Sequence, residues 1–481
     1  MSGELNLDYS LLTPEFSLAG LAALILALDL FVPGFRKEWL PYVAAAGLFG
    51  TLGLSLGCVN KESEFAGLLF IDNYTTFFRV FFLATAAVVA LMSAQFVQTR
   101  LRHPGEYYSL LVLSTIGAIY MAASRELLTA YISLELLSFC LFILVSYAKM
   151  DARSNEGGLK YMLLGAFASA ILLYGISLIY GSSGTTFYGD IAAAYAGGTD
   201  GFDLALLLGL VFVLAGLGFK VAAVPFHMWM PDAYEGAPLP ITAYLSATSK
   251  VAGFALLLRL FSGAFMPVMD DWQWIVASLA ALTMVLGNLV ALQQSNIKRL
   301  LAYSSIGQVG YMLMAIAALS SATSSALLLH MSGYVITNLA AFTCIIAWYN
   351  LTERDDIAGF RGMAERTPLL AAALTAALFS LSGMPLFAGF FTKFILFQAV
   401  ASEGFLWLSV IAVVMSFVSL YYYLMVIKEI YVSKPEEEGR LPVPAMISGL
   451  TVALVIGVFY VGIFPRHLLE AAEEATKLLF A

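Results

Sequence analysis

Long apolar runs separated by short polar segments recur along almost the whole chain of 481 residues. A run of about 20 apolar residues is long enough to cross the hydrocarbon core of a bilayer as a helix. The pattern therefore predicts an all-α, polytopic membrane protein with about 14 transmembrane helices. Their approximate limits are 16–33, 40–58, 70–97, 107–123, 127–148, 158–181, 203–227, 241–262, 273–293, 301–319, 325–349, 368–401, 404–430 and 443–464.

Two of these helices are predicted to be broken. Pro225 lies inside predicted helix 7, where it removes a backbone donor and clashes with the preceding turn. Predicted helix 12 is too long for one crossing and contains Gly383 and Pro385. Because broken helices that carry a charge are typical of ion sites in transporters, both breaks are candidate functional regions.

Related segments occur in predicted helices 5 and 10, which begin LLTAYISLELLSFCLF and RLLAYSSIGQVGYMLM. Predicted helices 6 and 11 also correspond, which aligns Lys160 with His330, and broken helix 7 then corresponds to broken helix 12. The pattern predicts two five-helix repeats, helices 4–8 and 9–13, and an odd number of crossings inverts the second. The predicted regions are residues 1–103 with three helices, 104–262 and 263–431 with one repeat each, and 432–481 with the last helix and a tail.

Composition supports a membrane protein and excludes several kinds of site. The chain is 61% hydrophobic and 12% charged, with a mean hydropathy of +0.87, which excludes a soluble globular protein. Cys58, Cys140 and Cys344 lie far apart without a CxxC motif, so we expect no disulfide framework, zinc site or iron–sulfur cluster. The acidic first ten residues lack a basic stretch, so no cleavable signal peptide is expected.

Basic residues are concentrated on one side of the predicted membrane. Of the 24 lysines and arginines, 14 fall in alternate loops that would be cytoplasmic by the positive-inside rule. Both termini and the loop at 182–203 are then predicted to lie outside. The 14 are Arg36, Lys37, Arg100, Arg102, Lys149, Arg153, Lys298, Arg299, Arg354, Arg361, Arg366, Lys428, Lys434 and Arg440.

Five basic residues fall within predicted helices, where a charge is costly unless it is neutralised, paired or hydrated. They are Arg79, Lys160, Lys220, Lys250 and Lys393. Arg79 lies outside the repeats, seven residues after Asp72, and a structural role is expected for it. Lys220 lies five residues before Pro225 and is a candidate functional residue.

Glu135 lies in the middle of predicted helix 5, with no basic residue three or four positions away. Its partner must therefore come from another helix, and Lys220 is the predicted one. A buried pair whose separation changes can control protonation of the lysine. The alternative is a static structural ion pair.

The other intramembrane residues each have two interpretations. Lys160 begins predicted helix 6, so it either takes part in transport or extends to the membrane interface. Lys250 and Lys393 lie deeper and are predicted to be functional, with a structural role as the alternative. His330 either relays protons near neutral pH or is a packed core histidine.

Asp232 and Glu235 fall in the predicted loop between helices 7 and 8, on the cytoplasmic side. Carboxylates in an aqueous loop need no special explanation. The functional alternative is that they anchor the loop or a partner.

Several segments carry a resemblance to a known family, namely GFK with VPFHMWMPDAYEGAPLPITAYLSATSK, ISLELLS, LKYMLLGAFAS, NIKRLLAYSSIGQVGYML and LSLSGMPLFAGFFTKF. Through them nearly the whole chain resembles the antiporter-like membrane subunits of respiratory complex I. Within that family, the chain is most similar to the fourteen-helix branch. It has the YEGAP loop and a lysine in predicted helix 12, and it lacks a long C-terminal lateral helix.

The resemblance implies a proton-translocating subunit of NADH:quinone oxidoreductase in a bacterial plasma membrane. It implies that Glu135 and Lys220 form an input pair, Lys250 is the central relay, Lys393 is the output lysine and Lys160 is a modulating lysine, while the role of His330 stays open. NADH, FMN, iron–sulfur clusters and quinone would be bound by other subunits. Partners would be other membrane subunits, including neighbouring antiporter-like ones, and lipid, with no nucleic acid.

Two alternatives remain. An Mrp-type cation/proton antiporter subunit would share the fold but tends to carry glutamate in helix 12. A non-transporting scaffold would not need four lysines within hydrocarbon.

Overall fold

The computed structural model describes residues 9–196, 204–435 and 437–480, which are predominantly helical. The predicted outer loop at 182–203 therefore lies partly outside the described residues. In the N-terminal region, a short antiparallel hairpin precedes the third long helix, and Ser93 separates that helix from a shorter one. The elements are α1 (Thr13–Phe31), α2 (Leu40–Leu56), β1 (Ser63–Phe65), β2 (Leu69–Ile71), α3 (Asn73–Met92) and α4 (Ala94–Arg100).

The hairpin pairs Ser63 with Ile71, Glu64 with Phe70 and Phe65 with Leu69. The sequence analysis did not predict it and began helix 3 at residue 70 instead. Three-residue strands carry little periodicity, so the apolar run into α3 concealed them.

The region of the first predicted repeat contains both long and short helices. They are α5 (Pro104–Ala123), α6 (Leu127–Val145), α7 (Ala152–Ser183), α8 (Tyr188–Ala196), α9 (Leu204–Val221), α10 (Trp229–Gly236), α11 (Leu239–Tyr244) and α12 (Lys250–Gly263), with a π-helical turn (Leu245–Ser249) joining α11 to α12. The remaining helices are α13 (Met269–Ala291), α14 (Ile297–Ala317), α15 (Ser321–Thr352), α16 (Met363–Arg366), α17 (Pro368–Ser382), α18 (Ala388–Ser402), α19 (Leu406–Tyr431), α20 (Ala445–Ile463) and α21 (Arg466–Thr476).

Within the described ranges, 13 helical segments are long and apolar enough to cross a membrane. Two shorter apolar helices, α17 and α18, occupy the place of predicted helix 12 and are separated by residues 383–387. The predicted class, a polytopic helical membrane protein, is therefore confirmed. The exact number of 14 crossings and the inversion of the repeats stay predictions.

Polar residues concealed the true starts of two helices. The sequence analysis began helix 6 at residue 158 and helix 11 at residue 325, whereas α7 begins at Ala152 and α15 at Ser321. Asp151 accepts a hydrogen bond from the Arg153 N–H, and Ser320 caps α15 in the same manner. Each helix is 32 residues long, so both extend beyond their apolar stretches.

The most buried helices lie at the centre of the bundle. Nearly every residue of α12, α14 and α15 is buried, whereas only eight of the 26 residues of α19 and five of the 19 residues of α20 are buried. Lys250 and His330 are therefore enclosed by protein in the described chain, with exposed fractions of 1% each.

Two buried arginines tie the N-terminal helices to the rest of the molecule. The Arg79 guanidinium lies 2.6 Å from Glu15 and not beside Asp72. Asp72 instead caps α3 through the Thr75 N–H and binds Arg259 of α12 at 2.7 Å. Both arginines thus have a carboxylate partner inside this chain.

We expect Asp72→Ala to destabilise the protein by about 3–5 kcal/mol, because it leaves Arg259 buried without its counter-ion. Asp72→Asn is the matched variant, since asparagine can still cap α3 but carries no charge. The thermal unfolding temperature of the detergent-solubilised protein would be measured for both. An unchanged temperature for Asp72→Ala would contradict the structural role of this pair.

Candidate functional site

Helix α9 ends before Pro225, the residue from which the break was predicted. Lys220 is the penultimate residue of α9, and the next residue after the helix, Ala222, has a left-handed backbone with φ of 62°. The N–H groups of Ala222 and Ala223 donate to the carbonyls of Phe219 and Gly218 at 3.0 and 2.8 Å, which is a Schellman cap. The predicted continuation of helix 7 to residue 227 is therefore wrong, because this cap ends the helix before Pro225 is reached.

The break after α17 has the same cap. Gly383 is left-handed with φ of 91°, and the N–H groups of Gly383 and Met384 donate to the carbonyls of Ser380 and Phe379, both at 3.0 Å. A left-handed residue is commonly glycine in this motif, so Gly383 fits the position better than Ala222 fits its own.

Both breaks have a lysine associated with the C-terminal end of a helix. Lys220 lies two residues before the left-handed residue of its cap, and Leu381 occupies that position in α17. Lys393 reaches back across the break from α18 and donates to the Leu381 carbonyl at 2.8 Å. The helix macrodipole favours a positive charge at this end, which the Lys393 ammonium contacts directly and near which Lys220 lies in sequence, in the last turn of α9.

Glu135 and Lys220 line one small cavity. Lys220 donates to the Ser138 hydroxyl at 2.8 Å, and Glu135 accepts a hydrogen bond from Ser169. The cavity has a volume of about 10 Å³, room for a single water molecule. The structure thus brings the predicted input pair together, although these two described side chains have no nitrogen–oxygen distance within 4 Å and make no direct ion pair.

Lys250 follows the π-helical turn directly and is the first residue of α12. Its ammonium group donates to the Ser305 hydroxyl of α14, which in turn is hydrogen-bonded to Tyr334 of α15. The ring of Tyr234 lies 5.5 Å from the ammonium nitrogen. A π turn inserts one residue into the helical register and often marks a functional position, so it sets the direction of Lys250 towards these hydroxyls.

Lys393 has a similarly neutral environment. Besides the Leu381 carbonyl, the ring of Tyr311 lies 5.0 Å from its ammonium nitrogen. Lys393 also borders a mostly apolar cavity of about 200 Å³ between α18 and α19. Next to it in sequence, Thr392 is hydrogen-bonded to His330 Nδ1 at 3.1 Å.

His330 lies between the two lysine environments. It precedes Tyr334 by one helical turn, so both side chains lie on the same face of α15. Tyr334 connects to the Lys250 group through Ser305, and His330 connects to α18 through Thr392. The buried Nε2 of His330 has no hydrogen-bond partner among the described residues.

Lys160 is not part of this buried group. Its side chain is 45% exposed and its ammonium group lies 2.7 Å from both Glu156 and Asp232. Asp232 and Glu235, predicted to lie in a loop, are on the short helix α10, and both bind Arg299 of α14. Burial alone would raise the pKa of the Asp232 carboxyl, but hydrogen bonds from Lys160 and Arg299 outweigh it and lower that pKa.

The sequence analysis missed the hydroxyl groups that are hydrogen-bonded to the candidate site residues or to one another. These are Ser138, Ser169, Ser305, Tyr334 and Thr392. Serine and threonine are frequent in membrane helices, so their presence alone did not distinguish them. The one available signal was Ser138, three residues after Glu135 and thus on the same face of α6.

No cluster of three or more histidine, cysteine, aspartate or glutamate side chains that could hold a metal ion occurs in the part of the chain that the structure describes.

Comparisons with known proteins agree over the length of the chain. Residues 124–419 match the family described as "NADH:quinone oxidoreductase/Mrp antiporter, TM". NADH-quinone oxidoreductase subunit N of Moorella thermoacetica is 45% identical, with 98% of each chain covered. A chain of respiratory complex I from Thermus thermophilus is 31% identical with a TM-score of 0.80, covering 96% of this chain and 99% of that one.

The Mrp complex from Dietzia sp. contains a chain with the same fold, with a TM-score of 0.84 at 21% identity, covering 98% of this chain and 97% of that one. That likeness concerns the fold alone. The long matches to subunit N and the complex I chain are closer in sequence. The chain therefore belongs to the subunit N family of NADH-quinone oxidoreductase and is a membrane subunit of the respiratory complex I type.

Proposed function

We propose that this chain translocates protons through a path that contains Glu135, Lys220, Lys250, His330 and Lys393, with Lys160 at its edge. Electron transfer elsewhere in the complex drives the movement. The cofactors NADH, FMN, iron–sulfur clusters and quinone belong to other subunits.

The observation that carries this proposal is a contrast between buried arginines and buried lysines. Arg79 and Arg259 each bind a carboxylate directly, as a fixed structural charge should. Lys220, Lys250 and Lys393 instead donate to a hydroxyl, a hydroxyl and a carbonyl, and among the described residues none has a carboxylate oxygen within 4 Å.

Neutral partners suit a group that must lose its proton. A hydroxyl can accept from an ammonium group and can donate to the neutral amine, so the hydrogen bond survives deprotonation of the lysine. A carbonyl only accepts, but the neutral amine still has N–H groups to donate to it. These environments therefore support proton exchange better than a static role.

The proposed path runs across the middle of the bundle. A proton enters at the Glu135 and Lys220 cavity, passes to Lys250, and continues through Ser305, Tyr334 and His330 towards Lys393. Hydrogen bonds connect Lys250 through Ser305 to Tyr334, and His330 to Thr392 beside Lys393. Water would connect the remaining intervals, as is common in polar membrane interiors.

The function is tested by purifying the tagged chain with its native partners and reconstituting the assembly in proteoliposomes. We expect NADH oxidation with added quinone to drive proton uptake, and a sodium gradient without NADH to drive none. Proton exchange driven by a sodium gradient, without NADH-dependent uptake, would instead favour the Mrp-type antiporter.

We also propose that both termini face the outside of a bacterial plasma membrane, among neighbouring antiporter-like subunits. In a background lacking Cys58, Cys140 and Cys344, an impermeant thiol reagent should label Asp190→Cys in intact cells. Glu438→Cys should react only after the cells are opened. The reverse labelling pattern would contradict this orientation.

A further inference from the structure

A carboxylate on α10 joins the two predicted repeats at one end of the bundle. One oxygen of Asp232 lies 2.7 Å from the Lys160 ammonium in α7, and the other lies 2.8 Å from the Arg299 guanidinium in α14. Lys160 belongs to the first predicted repeat and Arg299 to the second. A single side chain therefore connects a lysine of the proposed path to a cation of the other half.

The position of Asp232 is set by close backbone packing. A Cβ atom at Gly157 of α7 would lie 2.7 Å from the Asp232 carbonyl oxygen, so only glycine allows this approach. The ring of Tyr161 stacks on Trp229 of α10 with centroids 4.3 Å apart. Helix α10 is thus fixed against α7 at the level of Lys160.

Helix α10 is also held from the other side. Lys298 of α14 donates to the Glu235 carbonyl, and Arg299 binds the Glu235 carboxylate at 2.9 Å. A shift of α14 relative to α7 must therefore act on α10 and on the Asp232 contact with Lys160.

Lys160 is held away from the input pair. Ser169, which binds Glu135, lies nine residues further along α7, a distance of about 13 Å along the helix axis. While Glu156 and Asp232 both bind Lys160, its positive charge is compensated locally and has little net effect on Glu135. Loss of the Asp232 contact would leave Lys160 with Glu156 of its own helix and free it to move.

We propose that Asp232 is a positioning residue for Lys160, which couples the location of that ammonium group to the arrangement of the two halves through Arg299. This inference rests on the proposed function for its role in transport. The contact itself does not depend on that function.

Two measurements on the intact complex test the proposal. Reaction of Lys160 with an amine reagent, quantified by mass spectrometry, should be about threefold faster in Asp232→Asn, as expected for loss of one exposed ion pair. Glu235→Gln is the matched control, because Glu235 binds Arg299 from the same helix but does not touch Lys160. It should leave the labelling rate unchanged, and Asp232→Glu should restore the slow rate.

Proton uptake per NADH is the second measurement. Asp232→Asn should lower it to the level of Lys160→Gln, and the double variant should be no worse than Lys160→Gln alone. Equal labelling of Lys160 in Asp232→Asn and Glu235→Gln would overturn the proposal, as would additive losses in the double variant. Faster labelling with full proton uptake in Lys160→Gln would support the positioning contact and refute the use of Lys160 in transport.

Discussion

Glu135→Gln should reduce proton translocation per NADH by at least about tenfold while the complex still assembles, because it removes the acid of the input pair but keeps its shape. Glutamine retains an oxygen that can accept the hydrogen bond from Ser169. The cavity shared with Lys220 should therefore persist without its negative charge.

The energies are sufficient for Glu135 to control Lys220. Two unit charges about 4 Å apart interact by about 4 kcal/mol at an effective dielectric constant of about 20. Moving one charge across about 180 mV also requires about 4 kcal/mol, at about 2.3 kcal/mol per 100 mV. Approach and separation of this pair can therefore match the work done against the membrane potential.

The matched control is Glu126→Gln, at the N-terminal cap of the same helix. Glu126 caps the start of α6 through the N–H groups of Leu128 and Thr129, and has no contact with the cavity. Proton uptake per NADH would be measured in proteoliposomes for both variants, together with recovery of the assembled complex. Normal proton stoichiometry in Glu135→Gln would refute its role as the input acid.

Lys250→Arg should impair proton translocation nearly as strongly as Lys250→Ala, again by at least about tenfold. Lysine can lose its proton inside a protein, whereas arginine stays protonated. Arginine would keep the positive charge beside Ser305 and Tyr334 but could not release a proton to them. A fixed structural charge would behave differently, because arginine would then replace lysine with little effect.

The control is Lys298→Arg. Lys298 is also buried, with an exposed fraction of 8%, but it lies 3.5 Å from the Asp355 carboxylate and donates to the Glu235 carbonyl. Arginine should therefore preserve its function. Proton uptake per NADH and recovery of the complex would be compared for all three variants, and a fully coupled Lys250→Arg enzyme would leave Lys250 as a structural residue only.

The charged members of the candidate site could be predicted because each is a charged residue within an apolar segment. Glu135, Lys220, Lys250 and Lys393 stand out in apolar runs, and their cost in hydrocarbon marks them without any knowledge of packing. The contacts of Lys220 could not be predicted in the same way. Whether its ammonium group contacts Glu135 directly or donates to Ser138 instead depends on angles between helices, which hydrophobic periodicity does not specify.

The predicted helix limits were wrong where polar residues continue a helix beyond its apolar stretch. The six residues before position 158 are polar or small, so α7 was predicted too short, and α10 was read as a loop for the same reason. Asp232 was therefore interpreted as a carboxylate in a water-exposed loop. Its two cationic partners come from α7 and α14, far apart in sequence, and only the packed structure brings them together.

The pairing of Asp72 with Arg259 has a consequence for how this protein can be shortened. A version beginning at α5 would keep Arg259 in α12 but lose the carboxylate that neutralises it, as well as the ring of Tyr74 that lies 4.6 Å from the guanidinium carbon. The first three long helices are therefore not a detachable module of this sequence. Their deletion would have to be accompanied by a compensating replacement of Arg259 with an apolar residue.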